Sequence, residues 1–426
     1  MIRFLSLLLL VLVSSQIASA NELARNATSD NTALSAPAIE ELRSLGPAGL
    51  QTLMTEYARE INQHIANPTT ASDAQWQRIS TALDTVAQQK NSYISGLYWY
   101  TDLESAKKAS AASGKPILSL RLLGKLTDEF SCANSRFFRT VLYPNAEVSA
   151  ALRDRFVLHW QSVRPVPTVT IDFGDGRKLE RTLTGNSIHY ILDSQARTID
   201  ALPGLYGPKA FLRGLANAET VFNSLALRNA EERNILLSIY YSQQHNKISA
   251  AWTIDTQKIG GKAPEGFRVV EGNNGEALLI SPLAVTKAIS EANVLRAMVM
   301  AGEELGKITD EGAWRKIAQL HSSDAVLDER SVSLIKHQNP NLTERELAQL
   351  LQKFQDSIAL DTVRNEYLMH TKLYTWIVKD PIRDNVEKLN EQVYAKLFLT
   401  PNSDPWLGLF STDVYTALDN GGVTKQ

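Results

Sequence analysis

The sequence has one cysteine, Cys132, in 426 residues. This excludes an internal disulfide, and it excludes a redox cycle in which two thiols of the same chain open and close a disulfide. Metal-binding spacings such as His-x-x-His and His-Glu-x-x-His are absent. The glycines between residues 260 and 275 form neither a dinucleotide-binding nor a P-loop motif, and the Gly-x-Ser-x-Gly turn of serine hydrolases is missing. We therefore expect neither a metal nor another cofactor.

A basic surface is also lacking. Lys and Arg number 44 against 46 Asp and Glu, which gives a net charge of −2, and the basic residues form no stripe. Proteins that bind nucleic acid or anionic membranes usually concentrate positive charge on one surface. Both classes of partner are therefore disfavoured, and the oligomeric state is left open.

Long hydrophobic runs are confined to the N-terminus. Leu5–Val13 is apolar, follows Arg3 and precedes Ala18-Ser19-Ala20, which has the small-x-small form of a signal-peptidase site. An uncleaved membrane anchor is the alternative, but the run is well short of the ~20 residues that span a bilayer. We expect residues 1–20 to be a signal peptide, no membrane span after its cleavage, and a periplasmic or secreted mature chain from about Asn21.

Helical periodicity dominates residues 21–92. Residues 21–36 are small and polar and predict a flexible start to the mature chain. Apolar residues then recur at helical spacing, with breaks at Gly46-Pro47 and Asn67-Pro68. No cluster of ionisable residues here suggests chemistry. We predict a helical N-terminal module that packs against the following domain.

Strand and helix signals alternate in the central part of the chain. Ile117–Leu120 and Phe156–Trp160 are short apolar runs typical of buried strands, and a helical stretch precedes each of them. Hairpin signals follow at Gly174-Asp175-Gly176 and at Asp193–Ala196, and a helix begins at Pro208. This order predicts an α/β sandwich with a mixed sheet.

The remainder of the chain is predicted to be mostly helical. Thr343 and Glu346 form a capping box before an apolar stripe. A glycine-rich interlude with the character of a loop is predicted at residues 253–283, and Ser281-Pro282 opens the helix that follows. The expected organisation is a signal peptide (1–20), a helical N-terminal module (21–92), an α/β domain (93–227) and a mostly helical C-terminal domain (228–426).

Four segments of the central region together resemble the thioredoxin superfamily. They are Gly114-Lys115-Pro116 before the first strand, Cys132-x-x-Ser135 at the start of a helix, Glu147-Val148, and Phe156-Val157 in the second strand. The resemblance covers residues 98–220, and from Cys132 to Val157 the match has no gap. It implies an α/β thioredoxin-like sandwich flanked by mostly α-helical N- and C-terminal regions.

Departures from the family pattern concern the active site. Ser135 stands where thioredoxin-like domains have their second cysteine. The family also has a cis-proline that faces the cysteine, and two registers are open for it. In one, Val166-Pro167-Thr168 matches the family's Ile-Pro-Thr and Pro167 is the candidate cis-proline. In the other, favoured because Ile188–Gly204 is the better-placed hairpin, Val169–Leu183 is an inserted hairpin and the proline position falls at Ser187-Ile188.

The resemblance assigns catalytic roles to Cys132 and Ser135. At a helix N-terminus, the backbone N–H groups and the macrodipole favour a thiolate, and Ser135, one turn later, could donate a hydrogen bond to it. A hydroxyl cannot resolve a mixed disulfide. Only monothiol chemistry then remains: exchange with protein or small-molecule thiols and disulfides, isomerisation, or a long-lived adduct with a partner.

Two functions remain open. In the first, the exported chain is a monothiol thiol–disulfide oxidoreductase or isomerase that acts through Cys132. In the second, the thioredoxin-like fold is a redox-inactive scaffold that binds an envelope protein. The second is a real alternative because a fold does not by itself imply an activity, and a lone cysteine is often a small buried hydrophobe.

Histidines are scattered along the sequence. His159 and His189 lie in predicted strands, and in a thioredoxin-like sheet they could approach each other, but a strand histidine is more often structural than a ligand. His370 shares a predicted helix face with Val363, Tyr367 and Tyr374, so we expect it in the core.

Overall fold

The computed structural model describes residues 20–67, 73–129, 131–183, 185–261, 309–379 and 381–403. The expected signal peptide, apart from Ala20, and the helix predicted to start at Ser281-Pro282 lie outside these residues. Within them, the chain forms a unit with a small mixed sheet, and helical regions precede and follow it in sequence. This confirms the coarse fold class. None of the described helices is long and apolar enough to cross a bilayer.

The N-terminal module consists of short helices around an apolar core of their own. Leu42, Leu53 and Leu83 are fully buried in this core. Asn31 and Asp73 cap two of the helices by accepting hydrogen bonds from backbone N–H groups of the first turn. The helices are α1 (Thr32–Ser44), α2 (Pro47–Glu56), α3 (Ala58–Ala66), α4 (Ala74–Ala87) and α5 (Ser92–Ser95).

The start of this module differs from the sequence prediction. Residues 20–27 are helical and α1 begins at Thr32, although the small polar residues at 21–36 predicted a flexible segment. Ala24 and Ala27 are buried in the module's core, with exposures of 0% and 3%. Alanine is the best helix former, and its small side chain allows a helix to lie close to its neighbours. Packing therefore orders a segment whose composition suggested disorder.

The central unit contains four strands that form one mixed sheet. The strands are β1 (Ile117–Leu123), β2 (Val157–Arg164), β5 (Ser187–Leu192) and β6 (Thr198–Pro203), and the helices of the unit are α6 (Leu103–Ser113), α7 (Ala133–Phe137), α8 (Ala146–Arg155) and α9 (Pro208–Leu225). The sheet order is β2-β1-β5-β6. β1 is parallel to β2 and antiparallel to β5, and β5 is antiparallel to β6. Helix α7 therefore follows the strand that lies second in the sheet.

Three strands of this sheet are buried along their whole length. Every residue of β1, β5 and β6 is buried. The sequence of β1, Ile-Leu-Ser-Leu-Arg-Leu-Leu, is apolar on both faces, which is typical of a strand that is covered on both sides. Helices α6 and α8 pack on β2, and α9 packs on β6. The two polar residues of β1 have partners: Ser119 contacts His159, and Arg121 pairs with Glu387.

A second, two-stranded sheet is inserted between β2 and β5. It consists of β3 (Thr168–Asp172) and β4 (Lys178–Thr182), which pair only with each other among the described residues. Gly174 and Gly176 form the turn with φ of 76° and 91°, values that favour glycine. None of the residues of β3 and β4 is buried. This arrangement is the one that the second of the two sequence registers predicts.

The C-terminal region is helical where it is described. Its helices are α10 (Ala230–Lys258), α11 (Glu311–Leu320), α12 (Glu329–Gln338), α13 (Glu344–Arg364), α14 (Thr371–Lys379) and α15 (Val386–Gln392). The capping box of Thr343 and Glu346 is confirmed at the start of α13. A π-helical stretch, Asn365–His370, joins α13 to α14 without a break. One apolar core runs from Leu97 to Phe398 and so includes both the sheet and these helices.

The prediction of a loop at residues 253–283 is wrong for its first residues. Helix α10 continues to Lys258, because Trp252 and Asp255 are buried against the other helices and hold the segment helical. Asp255 accepts hydrogen bonds from Tyr367 and contacts His321, which lie far away in sequence. From residue 262 onward the predicted loop lies outside the described residues.

Candidate functional site

The segment that carries Cys132 leaves the end of β1 through a tight turn. Gly124 follows β1 with a φ of 71°, and its N–H donates to Arg164 O at 2.8 Å. A Cβ at Gly124 would lie 3.4 Å from Cγ1 of Val166 and 3.8 Å from Cα of Ser131. Glycine is required here because the left-handed φ strains other residues and because three chain segments meet at this point. The turn thereby fixes Ser131 and Cys132 at the end of the sheet.

Cys132 is the N-cap of helix α7. Its Sγ accepts a hydrogen bond from the backbone N–H of Ser135 at 3.4 Å. The position at a helix N-terminus agrees with the sequence prediction, and such a hydrogen bond stabilises a thiolate more than a thiol. The exposure of Cys132 is 0%, so the sulfur is sealed from solvent.

Ser135 interacts with the sulfur differently from the prediction. We expected its hydroxyl to donate to Sγ, but the donor is its backbone N–H. The hydroxyl itself is buried and has no hydrogen-bond partner among the described residues. Because the first turn of a helix presents its N–H groups toward the cap residue, any amino acid at position 135 except proline would supply this bond.

Arg139 is a site residue that the sequence reasoning missed. Its side chain is only 4% exposed, and Nη2 donates to Ser131 Oγ at 3.1 Å and to Glu129 O at 3.3 Å. Burial lowers the pKa of Arg139, and the charges of Glu129 and Cys132 act in the opposite direction. A buried guanidinium therefore lies near enough to interact electrostatically with Cys132, and a positive charge in such a place favours a thiolate. The spacing of Cys132, Ser135 and Arg139 (i, i+3, i+7) could have indicated a shared helix face.

Tyr394 approaches the site from the C-terminal region. It lies in the π-helical stretch Val393–Leu397, is 1% exposed, and donates through its hydroxyl to Asn186 O at 3.2 Å. Burial raises the pKa of Tyr394, and the nearby Cys132 raises it further. The guanidinium of Arg164 lies 5.6 Å from the centre of the tyrosine ring. Tyr394 thus brings a buried aromatic ring from far along the chain close enough to Cys132 for the two groups to interact electrostatically.

Further contacts hold this C-terminal segment, residues 386–402, against the sheet. Each one joins a side chain of the segment to a residue in or beside β1, β2 or β5. They are Arg121 to Glu387 at 2.6 Å, Tyr190 to Asn390 at 3.3 Å, Asn186 to Thr400 at 3.3 Å, and Arg164 to Asn402 at 2.8 Å. Arg121 is completely buried, and burial lowers its pKa against the opposing charge of Glu387. We name residues 386–402 the C-terminal cover.

The candidate cis-proline is not found. No peptide bond in the described residues is cis, so the bond before Pro167 is trans, and Pro167 stands at the base of the inserted hairpin. Instead, Ser187 at the start of β5 faces helix α7, and its Oγ accepts a hydrogen bond from Asn134 Nδ2 at 2.8 Å. A hydroxyl therefore occupies the position that the second register assigned to the proline.

His159 and His189 do not approach each other, and each has the structural role that the sequence favoured. His159 is paired with Ser119 of β1, whereas His189 is paired with Leu120, and successive residues of a strand point to opposite faces. Ser119 Oγ contacts His159 Nδ1 at 2.9 Å, and Tyr143 Oη contacts His189 Nε2 at 2.8 Å. Burial lowers the pKa of each histidine to about 3, and the positive charge of Arg121 also lowers the pKa of His159. Both are neutral structural residues.

His370 lies in the core, as predicted. Its ring stacks on that of Tyr374 at 4.3 Å, and Nε2 lies 3.4 Å from Oδ1 of Asp200. The buried carboxylate of Asp200 also accepts hydrogen bonds from Tyr240 and Tyr374. This cluster joins β6 to the C-terminal helices. In the described residues, no three histidine, cysteine or acidic side chains are placed to hold a metal ion.

A surface cavity lies apart from Cys132, between the N-terminal module and the sheet. It has a volume of about 540 Å³ and is lined in part by Tyr98, Tyr100, Lys115 and Arg153. Arg153 donates to Ser95 O at 2.8 Å, so its guanidinium is partly occupied by the protein itself. None of the residues predicted to be catalytic lines this cavity.

Comparison with known proteins adds no family to this description. No family model matches the chain, and neither the curated proteins nor the solved structures contain a significant match.

Proposed function

We propose that this chain is an exported protein with a thioredoxin-like domain that serves as a redox-inactive scaffold and binds an envelope protein. Two observations support a thioredoxin-like domain. A β-helix-β unit is followed by an antiparallel strand pair and a helix, in the sheet order β2-β1-β5-β6. The cysteine opens the helix after the first of these strands, where the sequence resemblance expects it.

The burial of Cys132 is the observation that favours a scaffold over thiol–disulfide exchange. Thiol–disulfide exchange requires an attacking sulfur to approach in line with a disulfide, and reactive thiols are at least partly exposed. Cys132 has no exposed surface. The packing around Cys132 would therefore have to open before any disulfide could reach the sulfur.

Monothiol exchange is the second candidate, and the surroundings of the sulfur favour it. The Ser135 N–H and the Arg139 guanidinium both stabilise a thiolate at Cys132. In this reaction the thiolate attacks a partner disulfide, forms a mixed disulfide and releases the partner's other sulfur as a thiolate, which takes a proton from water. Because the chain has no second cysteine, an external thiol must then attack the mixed disulfide and regenerate Cys132.

Alkylation of the single thiol tests these functions. The mature protein is treated with iodoacetamide between pH 5 and 9, folded and in urea. Modification that occurs only in urea supports the scaffold. Rapid modification of the folded protein below about pH 7.5, where an ordinary cysteine is largely protonated, contradicts the scaffold and supports exchange.

The variant Cys132→Ser provides the matched control for partner binding. Envelope proteins retained by the wild type and by this variant are compared with and without reductant. A scaffold retains the same proteins in all four cases. Proteins retained only by the wild type, and lost on reduction, would establish mixed disulfides and contradict the scaffold.

A further inference from the structure

The inserted hairpin β3–β4 has two open edges. Its strands pair with no other strand of the described chain, and none of their residues is buried. A hydrogen bond of 3.3 Å from Arg136 Nη2 to Thr182 Oγ1 ties its base to helix α7. Two-stranded hairpins are marginally stable in water, whereas three or more strands with an apolar face are stable. A partner strand would therefore stabilise this element.

The two faces of the hairpin differ in polarity. Directly opposed residues of an antiparallel pair point to the same face. One face carries Val169, Ile171 and Phe173 of the first strand and its turn, opposed by Arg181, Leu179 and Arg177. The other face carries Thr168, Thr170 and Asp172, opposed by Thr182, Glu180 and Lys178. Phe173 is 54% exposed, so the hairpin presents a small apolar strip to solvent.

The backbone groups that each edge offers follow from the pairing. Phe173 N donates to Arg177 O, and Leu183 N donates to Pro167 O, so odd-numbered residues of β3 direct their N–H and C=O groups toward β4. The even-numbered residues then direct theirs outward. The open edge of β3 consequently presents Thr168, Thr170 and Asp172. The open edge of β4 presents Lys178, Glu180 and Thr182.

We propose that the β3 edge is a self-association surface and that its partner is the β3 edge of a second copy of this chain. An antiparallel pairing centred on Thr170 places Thr170 opposite Thr170 of the other copy and Thr168 opposite Asp172. All of these residues direct their N–H and C=O groups outward, so each N–H meets a C=O. Cross-strand threonine pairs are favourable, and no like charges face each other along this edge.

The same pairing continues the apolar face across the two copies. Val169 of one copy lies opposite Ile171 of the other, and Pro167 lies opposite Phe173. The four strands then run in the order β4-β3-β3-β4 with one apolar face, which is the condition that a lone hairpin lacks. Two identical edges related by a two-fold axis make a closed, isologous contact, so the association stops at a dimer.

The β4 edge does not offer this complementarity. The corresponding pairing of its outward-directed residues is centred on Glu180 and places two glutamates face to face. Like charges directly opposite each other destabilise a strand pair. Charged residues on an exposed edge are also a common means by which proteins prevent pairing. Of the two possible pairings between identical edges, the β3–β3 pairing is therefore the favourable one.

The expected dimer is weak. An edge of five residues buries less than the about 1,200–2,000 Å² of stable protein–protein interfaces. Association should therefore depend on protein concentration, with dissociation at low concentration. It is independent of the thiol, because Cys132 is buried, and reductant is included throughout to exclude an intermolecular disulfide. Failure of this proposal leaves the scaffold function untouched, because the two are measured by different experiments.

Sedimentation of the full mature chain from low to high micromolar concentration tests the proposal. Thr170→Pro removes one outward-directed N–H from each copy without removing a bond between β3 and β4, and it should abolish the dimer. Glu180→Pro is the matched control, because it makes the same change on the other edge, and it should leave the dimer intact. A wild type that stays monomeric, or a dimer that Thr170→Pro leaves unchanged, overturns the proposal.

A charge exchange keeps the test independent of any effect of proline on the hairpin. Thr170→Lys, and Thr170→Glu combined with Glu180→Gln so that the new carboxylate does not face Glu180 within its own hairpin, each place like charges at the centre of the pairing. Each variant alone should therefore be monomeric. An equimolar mixture of the two should recover a mixed dimer. If the mixture remains monomeric while the wild type dimerises, the contact is not centred on Thr170 and the proposal is wrong.

Discussion

The central sheet and the inserted hairpin are both made of short strands, yet they occupy opposite environments. Every residue of β1, β5 and β6 is buried, whereas no residue of β3 or β4 is. The sequence of β1 is apolar at five of its seven positions on both faces, whereas β3 alternates threonine with valine and isoleucine. The difference teaches that the local sequence determines where a strand forms. Segments from distant parts of the chain determine whether that strand is buried or exposed.

The largest effect should come from removing the same side chain in the two sheets. Ile188 of β5 is completely buried and Ile171 of β3 is half-exposed. Ile188→Ala should cost about 2–5 kcal/mol of stability because it leaves a cavity. Ile171→Ala should cost less than about 1 kcal/mol. Urea unfolding measures both, and similar losses would contradict the environments described above.

The second effect concerns how fast reagents reach Cys132. Tyr394→Ala should remove about 3 kcal/mol of packing, as for other buried aromatic residues. Each 1.4 kcal/mol changes an equilibrium tenfold, so alkylation of Cys132 through local opening should accelerate by roughly 100-fold. Phe173→Ala on the hairpin is the control, because Phe173 is exposed and covers nothing. Equal rates for Tyr394→Ala and the wild type would show that Tyr394 does not limit access.

The third effect is a loss of stability at acid pH that results from a buried histidine of the central sheet. Burial lowers the pKa of His189 to about 3, whereas histidine in an unfolded chain titrates near 6.5. Between these values the unfolded chain binds a proton that the folded chain does not, so stability falls as pH falls below 6.5. The loss attributable to His189 at pH 5 is about 2 kcal/mol.

His189→Gln should therefore flatten the dependence of unfolding free energy on pH between 7 and 5, even if it lowers stability at pH 7. His337 is half-exposed, so His337→Gln should change this slope much less. An unchanged slope in His189→Gln would mean that the imidazole binds protons equally in the folded and the unfolded chain, which contradicts a lowered pKa.

The smallest effect on stability should come from neutralising one carboxylate at each sheet. Glu387→Gln leaves the buried guanidinium of Arg121 without its counter-charge. The expected loss is about 1 kcal/mol, because half of the Glu387 side chain is exposed and solvent screens the pair. Glu180→Gln on the hairpin should change stability by less than about 0.5 kcal/mol. Thermal unfolding in low salt would resolve the difference, and equal losses would argue against a special role for the buried guanidinium.

Features set by local sequence were predictable. The capping box at Thr343, the strand that begins at Ile117 and the cysteine at a helix start follow from residues close together in the chain. The inserted hairpin was predictable because Gly174-Asp175-Gly176 forces a turn. Each signal comes from a segment that needs no distant partner to adopt its conformation.

Features set by distant contacts were not predictable. The approach of Tyr394 to the site depends on how the helices after residue 309 return to the sheet, and no local pattern specifies that path. The opposite faces of His159 and His189 depend on strand register, where a shift by one residue reverses the side chains. Arg139 is a partial exception: its spacing from Cys132 was readable, but the stretch that carries it, Phe138–Leu142, is π-helical, which the sequence did not indicate.

The long-range pairing of Arg121 with Glu387 has a consequence for the order in which the chain folds. The two residues are 266 positions apart, and the sheet strands are complete by Pro203. Arg121 therefore lacks this charged partner until the segment around Glu387 packs on the sheet. Contacts of such sequence separation slow folding. The last described segment of the polypeptide is thus the one that closes the first strand.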